Sequence, residues 1–176
     1  MSVYQWKGAG YGLPTSPGSN VTLVKRIDAA ALIAAGIQSG LALVAAPNDG
    51  VALASTGFAA NDILEVFWVP KGTLVKGCGL YVITGEGATA TIHAGVTSST
   101  ETHDLGGDID GWFQSADIET AAAVDGTADN DGYGTDNYPA GVLYVTNGSI
   151  DIEFNNAIDA AIILFWADVQ YIGTLV

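Results

Sequence analysis

The chain has a single cysteine and very little positive charge. Cys78 alone excludes an intrachain disulfide, and its apolar surroundings in KGCGLYVI point to a buried, inert thiol. The five basic residues, Lys7, Lys25, Arg26, Lys71 and Lys76, all precede position 77. Nucleic-acid binding is excluded on this ground, because phosphate contacts need clustered Lys or Arg and the rest of the chain has neither. Most of the 19 acids lie in that same basic-poor stretch, and the net charge is −14. This asymmetry fits a solvated acidic face, or a polarised molecule whose basic end meets an acidic partner.

Long apolar runs are also missing. A membrane helix requires roughly 20 such residues, and the longest candidates, DAAALIAAG and AAIILFWA, have only the length of core elements. No basic segment followed by an apolar stretch opens the chain, so no secretory signal is expected and synthesis is expected in a cytoplasm. Histidine is limited to His93 and His103, without zinc spacing. There is no serine elbow, no Cys with a plausible His partner and no glycine-rich phosphate loop ending in Lys. The string GAGYG lacks the preceding strand that a dinucleotide site needs. No enzyme activity and no cofactor are expected.

What the chain does have is 49% hydrophobic residues with 14% charged, and 23 glycines without a three-residue period. That mixture favours sheets joined by many turns. The length suits one domain, able to bury roughly 70% of its unfolded surface without a metal or disulfide. Residues 1–20, rich in Gly, Pro and Ser, read as an extended N-terminal arm. Residues 21–176 read as an all-β, jelly-roll-like β-sandwich.

Within that body VTLVKRI reads as a strand, and Asp28 is placed to cap a short helix ended by Gly36. LALVAA and VALAS read as short strands or loop. DILEVFWVP and TLVKGCGLYVITG read as a hairpin around PKG, with Gly77 and Gly79 marking a bulge. ATATIHAGV has the two-residue period of a half-buried strand. Residues 97–137 read as a long loop containing one short strand, GWFQSADI. In GVLYVTNGSIDIEFNN two strands meet at Asn147-Gly148, the pair favoured in type I′ hairpins. Ile150, Ile152 and Phe154 then take one face and Ser149, Asp151 and Glu153 the other. AAIILFWADVQYI lacks clean alternation, as a strand covered on both faces would. The expected core is Phe67, Val69, Val82, Ile150, Ile152, Phe154, Ile163 and Phe165.

The acids in DGTADNDGYGTD and GGDIDG invite a calcium site, since hard cations want several oxygens held by a turn. Neither fits the EF-hand pattern: with Gly132 at the glycine position the first ligand is Thr127 and the twelfth Tyr138, and with Gly111 the first is Gly106. Ordinary Asp/Gly turns account for both, and no metal site is assigned. Asp108, Asp110, Asp117 and Glu119 near Trp112 and Phe113 could pair as in a glycosidase, but so many acids produce such pairs by chance. The residues singled out are instead interface aromatics: Tyr4, Trp6 and Tyr11 in the arm, wasteful in a free tail, with Trp112 and Phe113.

The segments ILEVFWVPKGTLVKGCGLYVITGEGATATIHAGV, GDIDGWFQSADI and YPAGVLYVTNGSIDIEFNNAIDAAIILFWADV together resemble tailed-bacteriophage head decoration, or cement, proteins of the β-sandwich kind. The resemblance lies in turn and core patterns, and residues 1–60 carry little of it. It implies a structural virion protein on the outer surface of an assembled capsid, made in the host cytoplasm. Its partner would be the major capsid protein, whose subunits it would bridge. It also implies a homo-oligomer, commonly a trimer at symmetry axes, with no enzymatic activity. The alternative is a carbohydrate- or receptor-binding module of a phage tail or fibre, using Trp112, Tyr133 and Tyr138 to stack on sugars.

Overall fold

The computed structural model describes residues 3–5, 17–34, 57–87, 89–96, 108–121, 123–125 and 141–173. They form ten strands and one short helix: β1 (Val3–Gln5), β2 (Asn20–Asp28), α1 (Ala29–Ala34), β3 (Asp62–Val69), β4 (Thr73–Thr84), β5 (Thr91–Val96), β6 (Asp108–Asp117), β7 (Ala123–Asp125), β8 (Val142–Leu143), β9 (Gly148–Phe154) and β10 (Ile162–Tyr171). Sheet I has the order β1-β3-β9-β5-β6, and sheet II the order β2-β10-β4-β7, with β8 also pairing β4. All pairs are antiparallel except β1 with β3. The chain is an all-β sandwich.

Alternating side chains place one face of each sheet inward. Phe165 of sheet II meets Phe67 and Phe113 of sheet I at ring-centroid distances of 5.9 and 6.4 Å. Phe58 and Phe154 pack at 4.4 Å toward one end. All eight residues expected in the core are buried there, and so is Cys78. The short helix also forms, and the Asp28 side chain accepts the Ala31 N–H at 3.0 Å as its cap. Gly36, LALVAA and VALAS lie outside the described residues.

Two hairpins expected from the sequence are instead crossings between sheets. β3 pairs with β1 and β9 in sheet I, whereas β4 pairs with β10 in sheet II, so Pro70–Gly72 carries the chain across. Likewise β8 pairs with β4 and β9 with β3, so Asn147 links the sheets, and neither Asn147 nor Gly148 has the positive φ of a type I′ turn. The two crossings are tied together: the Lys71 N–H donates to the Asn147 side-chain oxygen, and the Gly72 N–H to the Tyr144 carbonyl. Gly72 sits at φ 83°, which a side chain rarely adopts.

Three further expectations change. The expected short strand in GWFQSADI is present within β6, which is longer, runs Asp108–Asp117 and pairs with β5, and Ala123–Asp125 adds a second strand inside the stretch that reads as loop. The start of β6 is Asp- and Gly-rich, but cross-strand pairing overrides that local preference. Ser149 and Asp151 are buried like their inward neighbours, because β9 is the central strand of sheet I. β10 alternates cleanly, with Ile163, Phe165, Ala167 and Val169 inward and Ile162, Leu164 and Trp166 only half-buried on the outer side. The expected bulge in β4 is present at Lys76, between Val75 and Gly77, while Gly79 stays in register opposite Trp166.

Candidate interaction surface

The outer face of sheet II is built by three adjacent strands. Val24 of β2 lies opposite Trp166 of β10, which lies opposite Gly79 of β4; in the next row Arg26, Leu164 and Tyr81 align. Glycine opposite tryptophan leaves room for the indole over the sheet. Val24, Tyr81 and Ile83 are exposed by 46%, 50% and 42%, and with half-buried Ile162, Leu164 and Trp166 they form a continuous apolar stripe. Scattered surface apolar residues need no explanation, but a contiguous stripe with a polar border marks a contact surface.

That border is hydrogen-bonded and charge-balanced. Arg26 pairs with Asp28 at 2.9 Å, Thr22 donates to Asp168, and Lys76 donates to the Asn20 side chain at 2.6 Å. On a chain of net charge −14 this neutral, apolar area is the surface best suited to a protein partner. A recess of about 190 Å³ between Asn20, Thr22, Lys76 and Asp168 is smaller than the usual ligand pocket of roughly 300–1,000 Å³. Among the described residues no three His, Cys, Asp or Glu side chains gather as metal ligands, and no helix is long and apolar enough to cross a membrane.

The residues singled out in the sequence do not converge. Trp112 and Phe113 are buried in the sandwich, exposed by 1% and 3%, so neither is a surface aromatic. Trp112 therefore offers no sugar platform. Phe113 packs edge-on against Phe165; the two-residue period is broken here, since Trp112 and Phe113 are both buried and Ser115, at φ 54°, shifts the register before buried Ala116. Tyr4 lies in β1, which pairs with β3. Trp6, Tyr11, His103, Tyr133, Tyr138 and the acids of residues 126–137 fall outside the described residues. Asp110 accepts a hydrogen bond from Gln114, Asp117 accepts the Glu119 N–H in an Asx turn, and His93 Nδ1 accepts the Ser115 N–H. The first two contacts are local, and the third ties β5 to β6.

Sequence inspection missed the outer face of sheet II, although a signal existed. Apolar residues on both faces of β10 suggest double coverage within the chain, whereas one of those faces is open. Lys25 was missed too: it is buried at 4% exposure, in the same inward row as Leu23 and Ile27.

No protein-family model matches the chain, and no curated protein matches it by sequence. Among solved structures it is similar to a chain of the capsid of Ralstonia phage GP4, with 16% identity and a TM-score of 0.57, covering 98% of this chain and 99% of that one. It is also similar to a chain of the cyanophage Pam1 capsid asymmetric unit, with 14% identity and a TM-score of 0.46, covering 96% and 94%. The GP4 likeness spans both chains nearly end to end, so the sandwich described above is a fold found in a phage capsid.

Proposed function

We propose that this chain is a structural component of a tailed-phage virion that binds the outside of an assembled capsid and stabilises it by bridging major capsid protein subunits. The observation that carries this reading is the end-to-end fold likeness to a chain of the Ralstonia phage GP4 capsid. The turn and core patterns shared with decoration proteins support the outer placement. The apolar stripe on sheet II supplies a surface suited to the shell, and the acidic remainder of the body would face solvent. Function on this reading is buried area, with no bond made or broken.

The test is to mix the purified protein with capsids assembled without it. Co-sedimentation, extra density on the outer surface by electron microscopy and a raised temperature of particle disruption are the expected results. A protein that stays in the supernatant with shells in excess overturns the proposal.

A further inference from the structure

We propose that β1 is exchanged between copies of this chain, each copy laying its Val3–Gln5 strand along β3 of a neighbour in the parallel register seen within one chain. The proposal concerns contact between copies and does not depend on the capsid-binding reading.

The topology makes β1 detachable. It is a terminal strand of three residues at the edge of sheet I, and its only strand partner among the described residues is β3. The chain then continues on the opposite sheet, at β2. Removing β1 therefore unthreads nothing: β2 still pairs β10, and β3 still pairs β9. A terminal edge element of this sort can be given to an identical neighbour at low cost, because each hydrogen bond lost within a chain is remade between chains.

The slot also requires a strand. β3 carries Ile63, Leu64, Val66, Phe67 and Trp68 along one stretch, and its edge without β1 would offer unpaired N–H and C=O groups to any passing strand. Val3, Tyr4 and Gln5 fill it opposite Ile63, Leu64 and Glu65.

The tether permits a neighbour as donor, and the charge distribution favours one. Gly18 and Ser19 are hydrogen-bonded to Tyr171 of β10, so residues 6–17 are the tether; fully extended they would reach about 40 Å, several times the roughly 10 Å between the layers of a sandwich. The first 20 residues contain Lys7 and no acid, whereas the body carries all 19 acids and four basic residues. An arm that crosses to the next copy lays positive charge on an acidic body, which offsets the repulsion between copies of charge −14. Each copy gives one strand and receives one, a condition that a reciprocal dimer or a closed ring satisfies.

The experiment uses the full-length chain carrying Gln5→Cys and Glu65→Cys, residues paired in the register of β1 and β3. Native Cys78 is fully buried and does not compete. After mild oxidation of the concentrated protein, denaturing electrophoresis without reductant should show covalent multimers that collapse to monomer on reduction. A cross-linked monomer as the sole product overturns the exchange. Should the double variant fail to fold, deletion of residues 2–5 decides. An oligomer lost while the melting transition remains cooperative supports the proposal, and an unchanged oligomer, or a wild-type chain that is monomeric at high concentration, overturns it.

Discussion

The Nζ of Lys25, on edge strand β2 of sheet II, donates a hydrogen bond at 2.9 Å to the carbonyl oxygen of Val66, the bulged residue of β3 in sheet I. One side chain thus bridges the two layers at the open side of the sandwich. A bulge leaves its extra residue outside the regular ladder, and Lys25 satisfies the carbonyl so released. An inward-pointing charge on an edge strand also discourages pairing with foreign strands.

Burial lowers the Lys25 pKa from 10.5 to about 8. Between those two values the unfolded chain holds the proton and the folded chain does not, so stability rises with pH across that window and is level for this group below it. The gain is about 3 kcal/mol at full effect. Urea unfolding at pH 7.5 and pH 10, compared with Lys25→Met, isolates it: the wild type should gain relative to the variant, and equal slopes would show that Lys25 is solvated.

What was legible in the sequence is what depends on side-chain period alone. Ile150, Ile152 and Phe154 alternate, and so they are buried whichever sheet receives them. Which sheet receives a strand was not legible. Asn147-Gly148 and Pro70–Gly72 have turn chemistry, but a short turn between two strands is compatible with a hairpin in one sheet or a step to the other, and only long-range pairing decides. Trp112 and Phe113 lie in a strand, as GWFQSADI suggests, but nothing in their acidic, glycine-rich flanks shows that pairing with β5 turns both rings into the sandwich. The interaction surface was hidden because it has no motif. It exists only once β2, β10 and β4 lie side by side.

Glycine is required unequally at two positive-φ positions. At Gly72 a Cβ would lie 2.0 Å from the Gly173 carbonyl oxygen, whereas at Gly87 it would meet nothing within 4 Å. Gly87→Ala should cost only the left-handed backbone penalty, about 1–2 kcal/mol. Gly72→Ala adds a clash with fixed backbone and should cost at least about 3 kcal/mol. Chemical denaturation of both variants checks the order, and equal costs would mean that the Gly72 crossing moves freely.

Glu86 clamps the turn before β10. Its two carboxylate oxygens accept the backbone N–H groups of Asp159, Ala160 and Ala161 at 2.9, 3.1 and 2.7 Å. Bonds to an ionised acceptor are among the stronger ones, and Ala161 is buried, so Glu86→Ala should destabilise by about 2 kcal/mol. Glu86→Gln keeps one acceptor oxygen and should recover part of that loss. Thermal unfolding of the pair measures it.

The final prediction separates the outer face of sheet II from the stability of the fold. Val24 and Tyr81 project from neighbouring rows of that face and are about half exposed, so replacing either with Glu removes little buried area and should change stability by no more than about 0.5 kcal/mol. In a shell contact the same carboxylate would be taken out of water beside apolar groups such as Trp166 and Leu164, with the nearest cation, Arg26, already paired to Asp28. Attachment to capsids should therefore weaken at least about tenfold, a loss of about 1.4 kcal/mol. Trp68→Glu provides the control, since Trp68 is comparably exposed on sheet I. If the shell meets sheet II, Trp68→Glu should bind normally. If instead it alone loses attachment while Val24→Glu and Tyr81→Glu bind as the wild type does, the docking face is on sheet I.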